Sequence, residues 1–198
     1  MAPQVDYFLD DDDIKDADAA GRFLFDVPPD AVVRGNVKDG NDDKYKATWT
    51  QTLEVIEAKM YEDSTKDKQG NEYASVCVEV VFQVPSSAIR SQDGLPDPNA
   101  GKQARAWYRM VPAAQRNKQH PKFKANNWAL GRLLGILRSI WGAEVIPHGT
   151  RPNLGEFYSG DQPPVVGKTV VATVKQYRYD GNLKDELTDF VELGLQGV

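Results

Sequence analysis

The chain of 198 residues carries a net charge of −5 with 40% hydrophobic and 27% charged residues, the balance of one medium-sized globular domain whose core needs no staples. A single cysteine, Cys77, and two histidines, His120 and His148, exclude a disulfide scaffold and the usual Cys/His zinc module. No apolar run approaches the ~18 residues of a membrane span and no basic stretch opens onto an apolar one at the start, so a soluble, cytoplasmic protein is expected.

Charge is spread unevenly along the chain. Residues 1–45 hold 12 aspartates against 5 cations, whereas residues 98–143 hold nine cations and no acid. The first 20 residues are Asp-rich without sustained apolar periodicity and cannot offset the entropy of ordering, which predicts a partly disordered acidic arm. Residues 22–29 have enough apolar weight to dock on a body, and the pair Pro28 and Pro29 forbids a helix there. Residues 1–43 are therefore read as arm and lead-in, and residues 44–198 as the folded domain.

Residues 45–60 are long, Thr-rich and alternating, which predicts a bent strand. A polar connection with Gly70 leads to a second strand over 76–84, stopped by Pro85, and the two form a predicted hairpin. A loop rich in Ser, Pro, Gly and Asn precedes a third strand over 103–111, ended by Pro112. Phe123, Leu130, Leu133, Leu134, Leu137, Ile140 and Trp141 then follow helical spacing, with Gly142 closing the helix. A Pro/Gly-rich connection returns to a strand over 167–177, Asp180-Gly181-Asn182 signals a turn, and a short last strand is expected over 188–195.

Three antiparallel strands, a helix and a final hairpin is the element order of a five-stranded OB-fold barrel, with the helix between strands three and four. The binding surface of that fold lies over strands two and three, and the third strand has suitable chemistry there. Period two puts Ala104, Ala106, Tyr108 and Met110 on one side and Gln103, Arg105, Trp107 and Arg109 on the other. Trp107 can stack a base while Arg105 and Arg109 meet phosphates, because an inward Arg-x-Trp-x-Arg row would bury two charges. A tryptophan in a strand is otherwise a core residue more often than not.

Lys102 precedes that strand, and Arg116, Lys118, Lys122 and Lys124 form a basic lip before the helix; a run without acids favours phosphate tracking over a merely solvated loop. Lys175, Tyr177 and Tyr179 share one face of the fourth strand, with Arg178 beside the turn, as a second stacking edge or a hairpin-stabilising aromatic pair. Tyr45 and Trp49 are the weakest stacking candidates. Gly167-Lys168-Thr169 mimics the end of a phosphate loop, but Gln162 stands where its first glycine belongs. The aspartates at 10–13 lack a defined coordination geometry, and neither histidine has a nucleophile partner, so neither a metal site nor catalysis is expected.

With these elements the chain resembles the OB-fold single-stranded DNA-binding proteins of bacteriophages and prophages, over roughly residues 44–193. The likeness rests on the Thr-rich first strand, Ala-Arg-Ala-Trp-Tyr-Arg-Met in the third, Asn-Asn-Trp-Ala-Leu-Gly-Arg-Leu-Leu-Gly-Ile-Leu in the helix and Val-Val-Gly-Lys-Thr-Val-Val-Ala-Thr-Val-Lys in the return strand. These are loose patterns. The resemblance implies sequence-tolerant binding of single-stranded DNA in replication or recombination, no cofactor, and a host-cell cytoplasmic location. Many such proteins end in an acidic, partner-recruiting tail, whereas here the acid is at the other end, where it can recruit replication proteins or compete with DNA. Two other classes stay open: a virion or assembly component whose β-barrel binds protein, and an inhibitor whose acidic arm mimics DNA on a host enzyme.

Overall fold

The computed structural model describes residues 25–34, 46–66, 69–90, 93–112, 123–179 and 182–194, without the side chains of residues 65, 123–127 and 179. The predicted acidic arm, residues 1–20, lies outside these residues, as does most of the basic lip. The elements in chain order are β1 (Val32–Arg34), β2 (Lys46–Lys66), β3 (Glu72–Gln83), β4 (Gln103–Met110), α1 (Phe123–Val145), α2 (Gly155–Tyr158), β5 (Thr169–Tyr179) and β6 (Asn182–Phe190).

All six strands join one antiparallel sheet, in the order β4-β3-β2-β5-β6 with β1 also on β2. The 21 residues of β2 make this possible, because the strand serves two sets of neighbours. Its first half pairs with β5 from Lys46 to Glu54, and its second half with β3 from Glu54 to Lys66. Between the halves the register shifts at Val55 and Glu57, leaving Ile56 as an extra residue. Such a bulge bends the strand and resets the period of two. Leu53 and Val55 face the core before it and Ala58 after it, so Glu57, Lys59, Tyr61 and Asp63 keep the outward side.

One apolar core lies between the sheet and α1, where Leu133, Ile136 and Leu137 are wholly buried against Leu53, Val78, Val80, Phe82 and Val170. Full burial of a side chain of this size stabilises by about 1.5–3 kcal/mol. The regular helix breaks at Gly142, whose φ of 78° lies in the region that favours glycine. Leu193 donates its backbone N–H to the Arg138 carbonyl at 3.0 Å, and the Arg138 guanidinium holds the carbonyls of Ile146 and Pro147. In α2 the buried Tyr158 donates its hydroxyl to Leu133 O at 2.9 Å.

The expected closed five-stranded barrel is not what forms: the sheet is open, and among the described residues no ladder joins β4 to β6. The helix stands in for it. Trp128 of α1 packs on Tyr108 of β4, ring centroids 6.1 Å apart, and Arg132 reaches Asp189 at the far end of β6, at 3.0 Å. Phe190 of β6 stacks on Phe82 at 5.8 Å. Arg132 also acts electrostatically on both Tyr108 and the buried Glu186. Bulky and charged side chains thus occupy the seam across which a closing ladder would run.

Three further differences from the sequence reading have local causes. β6 spans Asn182–Phe190 rather than 188–195, because Lys184, Asp185 and Glu186 hide a strand behind polar residues. β1 and α2 are too short to leave a period. The lead-in docks, as its apolar weight implies, but Phe25 belongs to the core of the domain read from the sequence as starting at residue 44. Phe25 is 3% exposed and meets Trp49 edge-on at 6.5 Å. Its N–H donates to Asp185 Oδ2 at 2.7 Å, its carbonyl accepts from Gln176, and Asn99 holds both the N–H and the carbonyl of Asp26. Trp49 is therefore a core residue and leaves the set of stacking candidates.

Candidate nucleic-acid interface

Cross-strand partners in an antiparallel sheet share a face. On the outer face, Glu57, Val81 and Arg105 form one row across β2, β3 and β4. Lys59, Glu79 and Trp107 form the next, and Tyr61, Cys77 and Arg109 the third. β4 has the alternation period two requires: Ala106, Tyr108 and Met110 are buried in the core, Arg105 is exposed, and Trp107 and Arg109 are half-buried on the outer side. The result is a platform with two rings, Tyr61 and Trp107, each overhung by a cation. Lys59 Nζ lies 5.3 Å from the Tyr61 centroid, and the Arg105 guanidinium 5.8 Å from that of Trp107.

The platform is not simply basic. Arg105 Nη1 pairs with Glu79 Oε1 at 3.0 Å, and Arg109 donates through Nε at 3.1 Å and Nη2 at 2.6 Å to one oxygen of Asp63. Lys102 Nζ lies 3.0 Å from Asp26, and Arg132 pairs with Asp189. Four described cations of the stretch that carries no acid along the chain thus meet acids supplied by other parts of the fold. Beneath the arginines, Cys77 is 2% exposed and burial pushes its thiol pKa up, as it does for the Tyr61 hydroxyl, so both stay protonated at neutral pH.

Of the other predicted residues, Arg116, Lys118 and Lys122 lie outside the described residues, and Lys124 is placed on the first turn of α1 without its side chain. Lys175 and Tyr177 do share the outer face of β5, with Lys175 Nζ 5.7 Å from the ring centroid. Tyr179 continues that strand, its side chain undescribed. Arg178 is on the opposite face, across from Leu183, which packs on the core. The sequence reading missed Lys59, Tyr61 and Glu79. The first two sit at the bulge and beyond, where alternation changes phase, and Glu79 becomes visible only through its register with Trp107.

Across from Lys175 lies Glu186, 5% exposed. Burial raises its pKa, while Lys175 and Arg132 pull the other way. An acid with a folded value above its unfolded value of about 4.3 holds more protons folded than unfolded between the two, so stability falls as pH rises through that window. Glu186→Gln is expected to flatten this decline, read as melting temperature against pH from about pH 4 to about pH 7. An unchanged slope assigns the titration to another group.

Among the described residues no group of three His, Cys, Asp or Glu could hold a metal ion, and no helix is long and apolar enough to cross a membrane. In comparisons with known proteins, no family model and no curated protein matches the chain.

Proposed function

We propose that the protein binds single-stranded DNA with little sequence preference across the outer face of its sheet, as an opened relative of the OB barrel in DNA replication or recombination. The observation that carries this reading is Trp107, projected outward from β4 beside Arg105 and Arg109 rather than into the core. An indole on an open strand face gives a base a stacking partner whatever its identity. The OB part of the reading is supported by the sharing of bent β2 between β3 and β5, with α1 inserted between β4 and β5.

The test is a fluorescence-anisotropy titration with labelled single-stranded and duplex oligonucleotides at several salt concentrations. Neutralising about three phosphates predicts a slope of log affinity against log salt near −2 for the single strand, with weaker duplex binding. A flat response, or equal affinity for duplex, ends this reading. The ion pairs at Arg105 and Arg109 favour a second reading, a protein-binding β-sheet domain in a virion or its assembly, which predicts no measurable oligonucleotide affinity.

A further inference from the structure

The slot that receives Phe25 and Asp26 is made of side chains that act on backbone. Asn99, wholly buried in the β3-β4 connection, accepts the Asp26 N–H through Oδ1 at 2.6 Å and donates through Nδ2 to the Asp26 carbonyl at 2.9 Å. Gln176 of β5, also buried, donates to the Phe25 carbonyl at 2.9 Å. Asp185 of β6 accepts the Phe25 N–H through one oxygen and Gln176 Nε2 through the other. Two consecutive residues thus have both N–H groups and both carbonyls held by side chains, and no strand ladder takes part.

The slot also reads residue types. The Phe25 ring fills a pocket against Trp49, whose Nε1 donates to the buried Gln51, and Lys102 Nζ stands 3.0 Å from the Asp26 carboxylate. An aromatic residue followed by an acid is what it fits.

The segment that fills the slot is joined to the domain by a long route. Val27 and Ala31 pack at the edge of the core, and β1, which follows, has all three residues exposed, Val32 and Val33 among them. Residues 35–45 then lead to β2. Fully extended, they reach roughly 40 Å. The slot cannot simply be vacated, however. Asn99 uses both ends of its buried amide on Asp26, and a buried amide left unpaired is strongly disfavoured. Its occupant is therefore replaced more readily than released.

We propose that the slot is a docking site for the lead-in of a second copy of this chain. Residues 25–34 cross between two molecules, and Phe25 and Asp26 of each fill the slot of the other in a symmetric exchanged dimer. The bonds that hold the lead-in and its short β1 ladder all form again in the dimer, because their partners lie in the body of the domain and do not distinguish one copy's segment from another's. Within one molecule the tether keeps the lead-in near its own slot at an effective concentration of about a millimolar. Closed monomers consequently prevail in dilute solution, and exchange gains as copies are brought together. The inference is independent of the single-strand reading, and its test uses no DNA.

The test mixes two full-length variants, one tagged, and reads association by pull-down and by light scattering. Phe25→Ala keeps the slot and removes the anchor from the lead-in, whereas Asn99→Ala keeps the lead-in and weakens the grip. Each is expected to stay monomeric alone. Their mixture is expected to form a heterodimer at micromolar concentration, because an intact lead-in meets an intact slot only between molecules and has no tethered competitor there. A fluorescein-labelled peptide of residues 22–34 is expected to bind Phe25→Ala at least about ten-fold more tightly than it binds the wild type, whose slot is filled. The same peptide carrying Phe25→Ala is expected to bind neither.

A mixture that stays monomeric, with both variants folded by thermal melt, overturns the exchange. Peptide binding then assigns the slot to a segment of another protein, and its absence assigns it to the chain's own lead-in alone. The wild type supplies a measurement that needs no folded variant: dimers are expected to accumulate as its concentration approaches the millimolar range. A wild type that is monomeric throughout, or dimers that persist unchanged in Phe25→Ala, also overturn the assignment.

Discussion

Replacing Trp107 by alanine is expected to weaken binding of a single-stranded oligonucleotide by about 1–3 kcal/mol, five-fold to more than a hundred-fold in affinity, with the fold retained. The indole is half-buried on the outer face and packs against Arg105 rather than the core, so its removal leaves no sealed cavity. Quenching of tryptophan fluorescence by DNA should shrink in the same variant. Unfolding without a separate binding defect would move Trp107 into the core and remove the stacking platform.

Phe82→Ala has the inverse signature. Phe82 is wholly buried and stacks on Phe190, so it joins the middle of the sheet to the strand that lacks a ladder with β4. Truncating a buried phenylalanine costs about 3–5 kcal/mol, which in a domain of this size lowers the melting temperature by roughly 10 °C. The fraction that remains folded should bind DNA with unchanged affinity. A small loss of stability would mean that α1, through Trp128 and Arg132, holds the seam without help from the ring pair. The two variants together give each face of the sheet its own readout.

How far the fold was legible in the sequence follows from the range of the interactions that made it. β3, β4 and the main run of α1 rest on local periodicity, and the expected elements fall at those places. β4 even shows its two faces, since Arg105, Trp107 and Arg109 alternate with Ala104, Ala106 and Tyr108. The closed barrel was inferred from element order alone, and order does not say whether two edges meet. That depends on what stands between them, here Trp128, Arg132 and Glu186, which belong to two elements and become neighbours only in three dimensions.

The candidate site was legible to a similar degree. The ring and cations of β4 could be read from eight consecutive residues. Their acid partners could not, because Asp63 and Arg109 are 46 positions apart and meet through the register of three strands. The count of cations between residues 98 and 143 is correct as arithmetic and incomplete as electrostatics.

The clasp on Phe25 bears on the order in which the molecule can be made. Its carbonyl is held by Gln176, 151 positions later, and its N–H by Asp185, 160 positions later. Contacts of such long sequence separation form slowly, because the loop must close before they contribute. During synthesis, Trp49 and Asn99 are available to this stretch first, but the two groups that hold the backbone of Phe25 itself arrive only with β5 and β6. The backbone of Phe25 can be fastened only once β5 and β6 have left the ribosome, and in refolding its capture should be among the last events.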